Sequence, residues 1–119
     1  MSERIHISTE DCGSFLLMNL EGELSERTTP TFKKMLAEEV QDHGHSHVVL
    51  DFAKCSYVNS TGLGVLHQYG KKLMNLGGRL GAVNLNESVR DVIDTVSDDT
   101  GLIREYKNLD EAADDLAGE

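Results

Sequence analysis

The chain has 119 residues, 39% of them hydrophobic and 27% charged, with a formal net charge of −10. That length suits one domain able to bury a core without disulfides or metals, and the mix is that of a folded chain rather than a disordered one. The excess of acid excludes the basic footprint that nucleic acid requires and disfavours anionic membrane surfaces; it would steer a basic protein partner inward, and it also serves solubility.

No apolar run approaches the roughly 20 residues that span a bilayer. The opening Met-Ser-Glu-Arg-Ile-His lacks the basic-then-apolar layout of a secretion signal, so a cytoplasmic location is expected. Cys12 and Cys55 match no metal or redox spacing and are expected to stay reduced.

Residues 4–9 alternate polar and apolar, with Ile5 and Ile7 on one face, which predicts a half-buried strand. Asp11-Cys12-Gly13-Ser14 is turn chemistry, and residues 15–20 read as the second arm of a hairpin, closed by Glu21-Gly22-Glu23. A helix follows, with Thr29 as its expected N-cap and Pro30 at the first helical position, where a missing N–H costs nothing. Phe32, Leu36 and Val40 share its inner face, Met35 lies beside them, and His43-Gly44 ends it. Residues 48–52, Val-Val-Leu-Asp-Phe, read as a central strand covered on both faces.

After a loop over 53–59, a second helix is expected from Ser60 to about Leu76, with Leu66, Tyr69, Leu73 and Leu76 inward and His67, Gln68, Lys71 and Asn75 elsewhere. Gly77-Gly78 supplies a left-handed C-cap, and residues 79–83 form the next strand. Asn86 caps a third helix with Val89, Ile93 and Val96 inward and Val92 adjacent. Residues 101–106 form a last strand. Asn108 with Glu111 makes a capping box for a final helix carrying Leu109, Ala112 and Leu116. The order β-β-α-β-α-β-α-β-α predicts a single α/β domain over 1–119, frayed only at 117–119, with a mostly parallel sheet and an antiparallel hairpin at its start.

The stretch that carries chemistry is Asp51-Phe52-Ala53-Lys54-Cys55-Ser56-Tyr57-Val58-Asn59-Ser60-Thr61-Gly62-Leu63-Gly64-Val65-Leu66: a buried strand, a polar loop, and a helix opening on a hydroxyl. Ser60 sits where an N-cap is expected. Gly62 and Gly64 cost up to ~1 kcal/mol each in a helix relative to alanine. Small residues there are expected to leave the helix start uncovered, so that another protein could approach the hydroxyl. A phosphate on Ser60 would meet the positive helix end and free backbone N–H groups, adding about −1.5 to −2 charge without melting the helix. A docked partner would not tolerate that dianion. The alternative is that Ser60 is an ordinary cap. A phosphate-binding loop is excluded, since neither G-x-x-x-x-G-K-[ST] nor G-x-G-x-x-G occurs.

The run Val58-Asn59-Ser60-Thr61-Gly62-Leu63-Gly64-Val65 resembles the signature of the anti-sigma factor antagonists, the bacterial members of the STAS-domain family, whose usual form is Asp-Ser-[Ser or Thr]-Gly-Leu-Gly-Val after a Leu-Asp-type strand. Glu21-Gly22-Glu23-Leu24 resembles that family's Gly-Glu-Leu-Asp element, and Gly77-Gly78 before a strand also recurs there. The resemblance spans residues 4–116. It implies a sheet with helices largely on one side and a phosphorylated serine at Ser60. It also implies a partner that is a serine kinase of the histidine-kinase-like ATPase fold, often itself an anti-sigma factor. The unphosphorylated antagonist binds that kinase, phosphorylation releases it, and a metal-dependent serine phosphatase resets it. ATP, Mg²⁺ and the catalytic base come with the kinase, so the chain itself needs no cofactor and is no enzyme.

Two departures stand out. Asn59 replaces the acidic residue before the phosphosite, and Ser25 replaces the aspartate after Gly-Glu-Leu. Both remove negative charge beside Ser60, which implies a divergent kinase or an output other than a sigma factor.

The docking surface expected from the resemblance is Asn59, Ser60, Thr61, Gly62, Leu63 and Gly64, with Ser25 and Glu26 in the neighbouring loop and His67 and Lys71 on the outer helix face. Two rivals use the same place: a small anionic ligand such as a nucleotide at the helix start, or a constitutive adaptor in which Ser60 is never modified.

Other residues offer less. His43, His45 and His47 would point to one side of an extended segment, but Gly44 and Ser46 suggest a turn and no carboxylate clearly completes a metal set. Ser60 and His67 are two turns apart, about 10 Å along the axis, too far for a nucleophile and base with Asp51 as third member. Thr61 is a secondary phosphorylation candidate and Ser56 a weaker one, taken to lie deeper in the loop. Asp110, Glu111, Asp114 and Asp115 read as the solvated face of the last helix.

Overall fold

The computed structural model describes residues 4–97 and 101–117, without the side chains of Val96 and Ser97. The inward turn expected of Val96, the fraying expected of Gly118 and Glu119, and the first three residues lie outside the described part, whereas Ala117, also expected to fray, is helical.

Strands β1 (His6–Asp11) and β2 (Leu16–Glu21) form the antiparallel hairpin, each one or two residues later than the alternation predicts. β3 (His47–Lys54), β4 (Arg79–Val83) and β5 (Ile103–Glu105) follow in parallel, in the order β1-β2-β3-β4-β5. Helices α1 (Thr29–Ala37), α2 (Ser60–Asn75) and α3 (Glu87–Ser97) are the crossovers between parallel neighbours, and α4 (Leu109–Ala117) follows the last strand. Crossovers of one hand, stepping always in one direction, place their helices on one face of the sheet. Phe32 and Leu36 of α1, Leu66, Tyr69 and Leu73 of α2 and Val89 and Ile93 of α3 accordingly share one core with Met18, Leu20, Val48, Leu50, Phe52 and Leu80. No crossover constrains α4. It covers the other face, where Ala112 and Leu116 pack with Leu17, Val49, Val83 and Tyr106.

Three local expectations change. Thr28, not Thr29, occupies the N-cap position of α1, and its hydroxyl serves the preceding loop instead, donating to the Glu23 carbonyl and accepting from Ser25 N. The helical run continues past α1 through a π-turn over Glu38–Asp42, which keeps Val40 in the core before His43 and the left-handed Gly44 end it. Leu76, expected inward, is 56% exposed because the chain has already left the helix there. The exit is a Schellman motif: Gly77 has φ +82°, Gly78 N donates to Leu73 O at 2.7 Å and Gly77 N to Met74 O at 3.0 Å. The caps expected at Asn86 and Asn108 are present, with Asn86 Oδ1 accepting from Val89 N at 2.7 Å and Asn108 Oδ1 from Glu111 N at 2.8 Å.

Asp115 is more than solvated acid. Its carboxylate accepts from the Tyr106 hydroxyl and the Arg104 guanidinium, tying α4 to β5. Burial, with Asp115 adding to it, pushes the Tyr106 phenol up to about 12, while the bonds from Tyr106 and Arg104 hold Asp115 below the usual carboxylate range. A phenol raised above its unfolded value of roughly 10 contributes stability that is complete below pH ~10 and lost as pH climbs through the folded value. A depressed carboxyl contributes above pH ~4 and is lost on acidification through its lowered folded value. Urea midpoints measured from pH 8 to 12 should therefore fall more steeply above pH ~10 in the native chain than in Tyr106→Phe; parallel curves would refute the Tyr106–Asp115 link.

Candidate functional site

The site is assembled where α2 begins. Leu24, just past β2, pairs with Val58 in an isolated parallel bridge. Leu24 N donates to Tyr57 O at 2.9 Å and Asn59 N to Leu24 O at 2.8 Å. This bridge brings the Ser25-Glu26 loop beside residues 59–64, as expected from the resemblance. On the other side, Asn86 Nδ2 donates to Ser56 O at 3.1 Å, fastening the β3–α2 loop to the β4–α3 loop, and Asn84 Nδ2 donates to Asp51 Oδ1 at 3.0 Å, tying that second loop to β3. The backbone before Ser60 is thus held on both flanks.

Asn59, not Ser60, is the N-cap. It has extended backbone, and its Oδ1 accepts from Thr61 N at 3.0 Å and Gly62 N at 3.1 Å. Ser60 is the first helical residue and is exposed, as is Thr61. Asparagine and serine are about equally good caps, so adjacency alone left the choice open. The consequence is chemical. Two of the N–H groups expected to be free for a phosphate, those of Thr61 and Gly62, are already taken, and Leu63 N is used by Asn59 O at 2.9 Å.

The two glycines part company. Gly62 is buried, and a Cβ on it would stand 2.9 Å from Leu24 Cβ and 3.2 Å from Val58 Cγ1. It permits the internal approach of α2 to Leu24 and, contrary to the expectation, does not open the helix to a partner. Gly64 is exposed, with nothing within 4 Å of where its Cβ would be. At about 100° per residue, Ser60, Gly64, His67 and Lys71 fall within roughly 40° of one line, a stripe about 16 Å long. Lys71 is exposed and His67 half-buried. Leu63 is half-buried beside this stripe, while Val65, Leu66, Tyr69 and Leu73 hold the opposite face in the core.

Glu26 is exposed. Ser25 is half-buried, its Oγ accepting from Arg27 N at 3.2 Å and its carbonyl from Thr29 N at 2.9 Å. Ser56 is exposed rather than deep in the loop. Tyr57, which the sequence reading passed over, is 46% exposed three residues before Ser60. An aromatic directly after Lys54-Cys55-Ser56, in a loop expected to be polar, was the available signal. Burial pushes the Cys55 thiol up, which keeps it unreactive.

The remaining candidates lie elsewhere. His43 Nδ1 and His45 Nε2 approach the two oxygens of Glu39 at 2.9 and 3.8 Å, so a carboxylate does stand by the histidines, but no three metal-ligating side chains converge among the described residues. Asp51 Oδ1 is occupied by Ala53 N and Asn84 Nδ2, far from the role of a catalytic third member. A groove of about 260 Å³ with mixed polar and apolar walls, His6, Ser8, Asn19, Leu20, Asp51 and Ala53 among them, opens by strand alternation on the sheet face opposite α2. Among the described residues no helix is long and apolar enough to cross a membrane.

The chain is similar to the anti-sigma F factor antagonist of Paenibacillus polymyxa, 27% identical over 90 residues that cover 76% of this chain and 77% of the relative. In structure it resembles an anti-sigma factor antagonist from Mycobacterium paratuberculosis, with a TM-score of 0.81 at 24% identity over 95% of this chain and 94% of the other. It also resembles the phosphorylated form of the Bacillus cell fate determinant SpoIIAA, with a TM-score of 0.71 at 18% identity over 93% and 99%. The model of the STAS domain matches residues 6–112, and with the five-stranded sheet and the signature at the start of α2 it follows that this chain belongs to the STAS-domain family.

Proposed function

We propose that the chain is an anti-sigma factor antagonist: a cytoplasmic, non-enzymatic partner switch that docks through the start of α2 and is released when Ser60 is phosphorylated. The observation that carries this reading is the exposed Ser60 hydroxyl at the head of a stripe kept bare by Gly64, on a backbone fastened on both flanks. The relative from Paenibacillus and the phosphorylated SpoIIAA support it by name and by fold. The partner is a serine kinase of the histidine-kinase-like ATPase fold, and a metal-dependent serine phosphatase reverses the mark. In the forward step the Ser60 Oγ–P bond forms as the bond between the γ-phosphorus and ADP breaks, and the hydroxyl proton passes to a base of the kinase.

A dianion placed within a docked surface must be desolvated, which a protein interface cannot offset without a matching cation. The domain itself loses nothing, since Ser60 makes no cap bond. The rival reading, a small anionic ligand at the same place, would have to displace the Asn59 side chain from the Thr61 and Gly62 N–H groups without the covalent tether that holds a phosphate on Ser60 beside them.

Incubation with such a kinase and ATP should add one phosphate by intact mass, and Ser60→Ala should abolish it. Because Asn59 supplies the cap, Ser60→Ala should also change the unfolding free energy by less than about 0.5 kcal/mol. Phosphate retained in the Ser60→Ala chain would overturn the site assignment.

A further inference from the structure

We propose that phosphorylation of Ser60 exchanges the cap of α2: the phosphate takes the Thr61 and Gly62 N–H groups and releases the Asn59 side chain. This rests on the reading of Ser60 as the phosphosite.

The unmodified cap is a single neutral oxygen shared between two donors, at 3.0 Å to Thr61 N and 3.1 Å to Gly62 N. No acidic residue stands in the first turn of α2, so the positive end of the helix has no charged counterpart there. A phosphate on the adjacent, exposed residue brings three strongly accepting oxygens and about two negative charges to that end. Charge-assisted hydrogen bonds are roughly twice as strong as neutral ones, so the phosphate outcompetes the carboxamide for the same donors.

The loser pays little. Asn59 is half-buried, and its freed amide can be hydrated. Its backbone stays in place, because Asn59 N remains on Leu24 O at 2.8 Å and Asn59 O on Leu63 N at 2.9 Å. Only the side chain moves. A neutral residue at 59 is what allows this exchange without repulsion; a carboxylate there would stand beside the dianion with like charge. The charged groups of the adjoining segments are Glu23, Glu26 and Arg27 before α1 and Lys54 at the end of β3.

The test needs no kinase. The full chain is made with phosphoserine encoded at position 60 and compared with the unmodified chain, each with and without Asn59→Ala. In the unmodified chain the substitution removes a working cap and should lower Tm by several degrees, ~3–6 °C. In the phosphorylated chain it should lower Tm by less than about a third of that amount. Equal losses in both would overturn the exchange. Amide spectra of the unsubstituted phosphorylated chain give a second reading. The Thr61 and Gly62 N–H resonances should titrate with the phosphate between pH 5 and about 8, while the Asn59 side-chain amide moves to the position of a hydrated carboxamide. Resonances unchanged from the unmodified chain would overturn the exchange even where Asn59→Ala fails to fold. The incubation with kinase and ATP tests the phosphosite separately: no gain of phosphate there, or a gain kept in Ser60→Ala, overturns that reading and leaves the cap measurement standing on its own.

Discussion

Gly78→Ala is expected to lower the unfolding free energy by about 3 kcal/mol or more, the high end of what overpacking causes. A Cβ at this position would stand 1.7 Å from Ser46 O and 2.5 Å from Ser46 C. Both are backbone atoms, so no rotamer change relieves the contact. The peptide is also pinned on both sides. Gly78 N donates to Leu73 O at 2.7 Å, closing the end of α2, and Arg79 N donates to Ser46 O at 3.0 Å, opening the β3–β4 register at His47 and Arg79. Moving Gly78 away breaks one bond or the other. For a domain with a net stability of ~5–15 kcal/mol that is a large share. The neighbouring substitution is the control. Gly77 has nothing within 4 Å of a Cβ but a φ of +82°, so Gly77→Ala should cost only the left-handed penalty of ~1 kcal/mol. Urea midpoints at unchanged m-value would measure both. A Gly78→Ala chain within 1 kcal/mol of the native one would contradict the packing described at this joint.

These paired glycines mark where sequence reading reaches its limit. The element order was legible because each helix carries its apolar residues at helical spacing and each strand is bounded by turn chemistry, and the central run around Leu50 could only be covered on both faces. Gly77 was legible as a left-handed C-cap. Gly78 was not, because its reason is a carbonyl on a segment more than 30 positions away. The same holds for Gly62, whose glycine answers to Leu24, and for Asp115, whose partners Arg104 and Tyr106 lie in and just after β5. Leu76 kept the helical period one residue beyond the last helical backbone, which periodicity cannot detect. At the site, the contiguous residues Asn59, Ser60 and Thr61 and the loop holding Ser25 and Glu26 were legible through the family signature. The division of labour between Asn59 and Ser60 was not, since either side chain can cap and only the hydrogen bonds of Asn59 Oδ1 decide.

The exposed glycine is the one that speaks for a partner, and Gly64→Gln is expected to separate stability from binding. Glutamine is among the better helix formers, and glycine costs ~0.8–1.0 kcal/mol relative to alanine within a helix. Gly64 has ordinary helical backbone and open space around its Cβ, so the substitution should raise the unfolding free energy by roughly 0.5 kcal/mol or slightly more. On stability alone, then, glycine is the worse choice. On the docking surface the expectation reverses. Gly64 lies one turn below Ser60 on the stripe that leads to His67 and Lys71, and a longer side chain there would hold a partner's backbone away from the Ser60 hydroxyl. Losing close packing and the hydrogen bonds behind it at an interface centre costs about 2 kcal/mol, some thirtyfold in Kd for the kinase. Phosphorylation should slow with it, because the hydroxyl no longer reaches the γ-phosphate in line. Thermal melting and titration against the kinase on the same preparation would show the two effects in opposite directions. A Gly64→Gln chain that melts higher yet binds as tightly as the native one would place the docking surface away from the start of α2, and the account of Ser60 as an interface switch would fall with it.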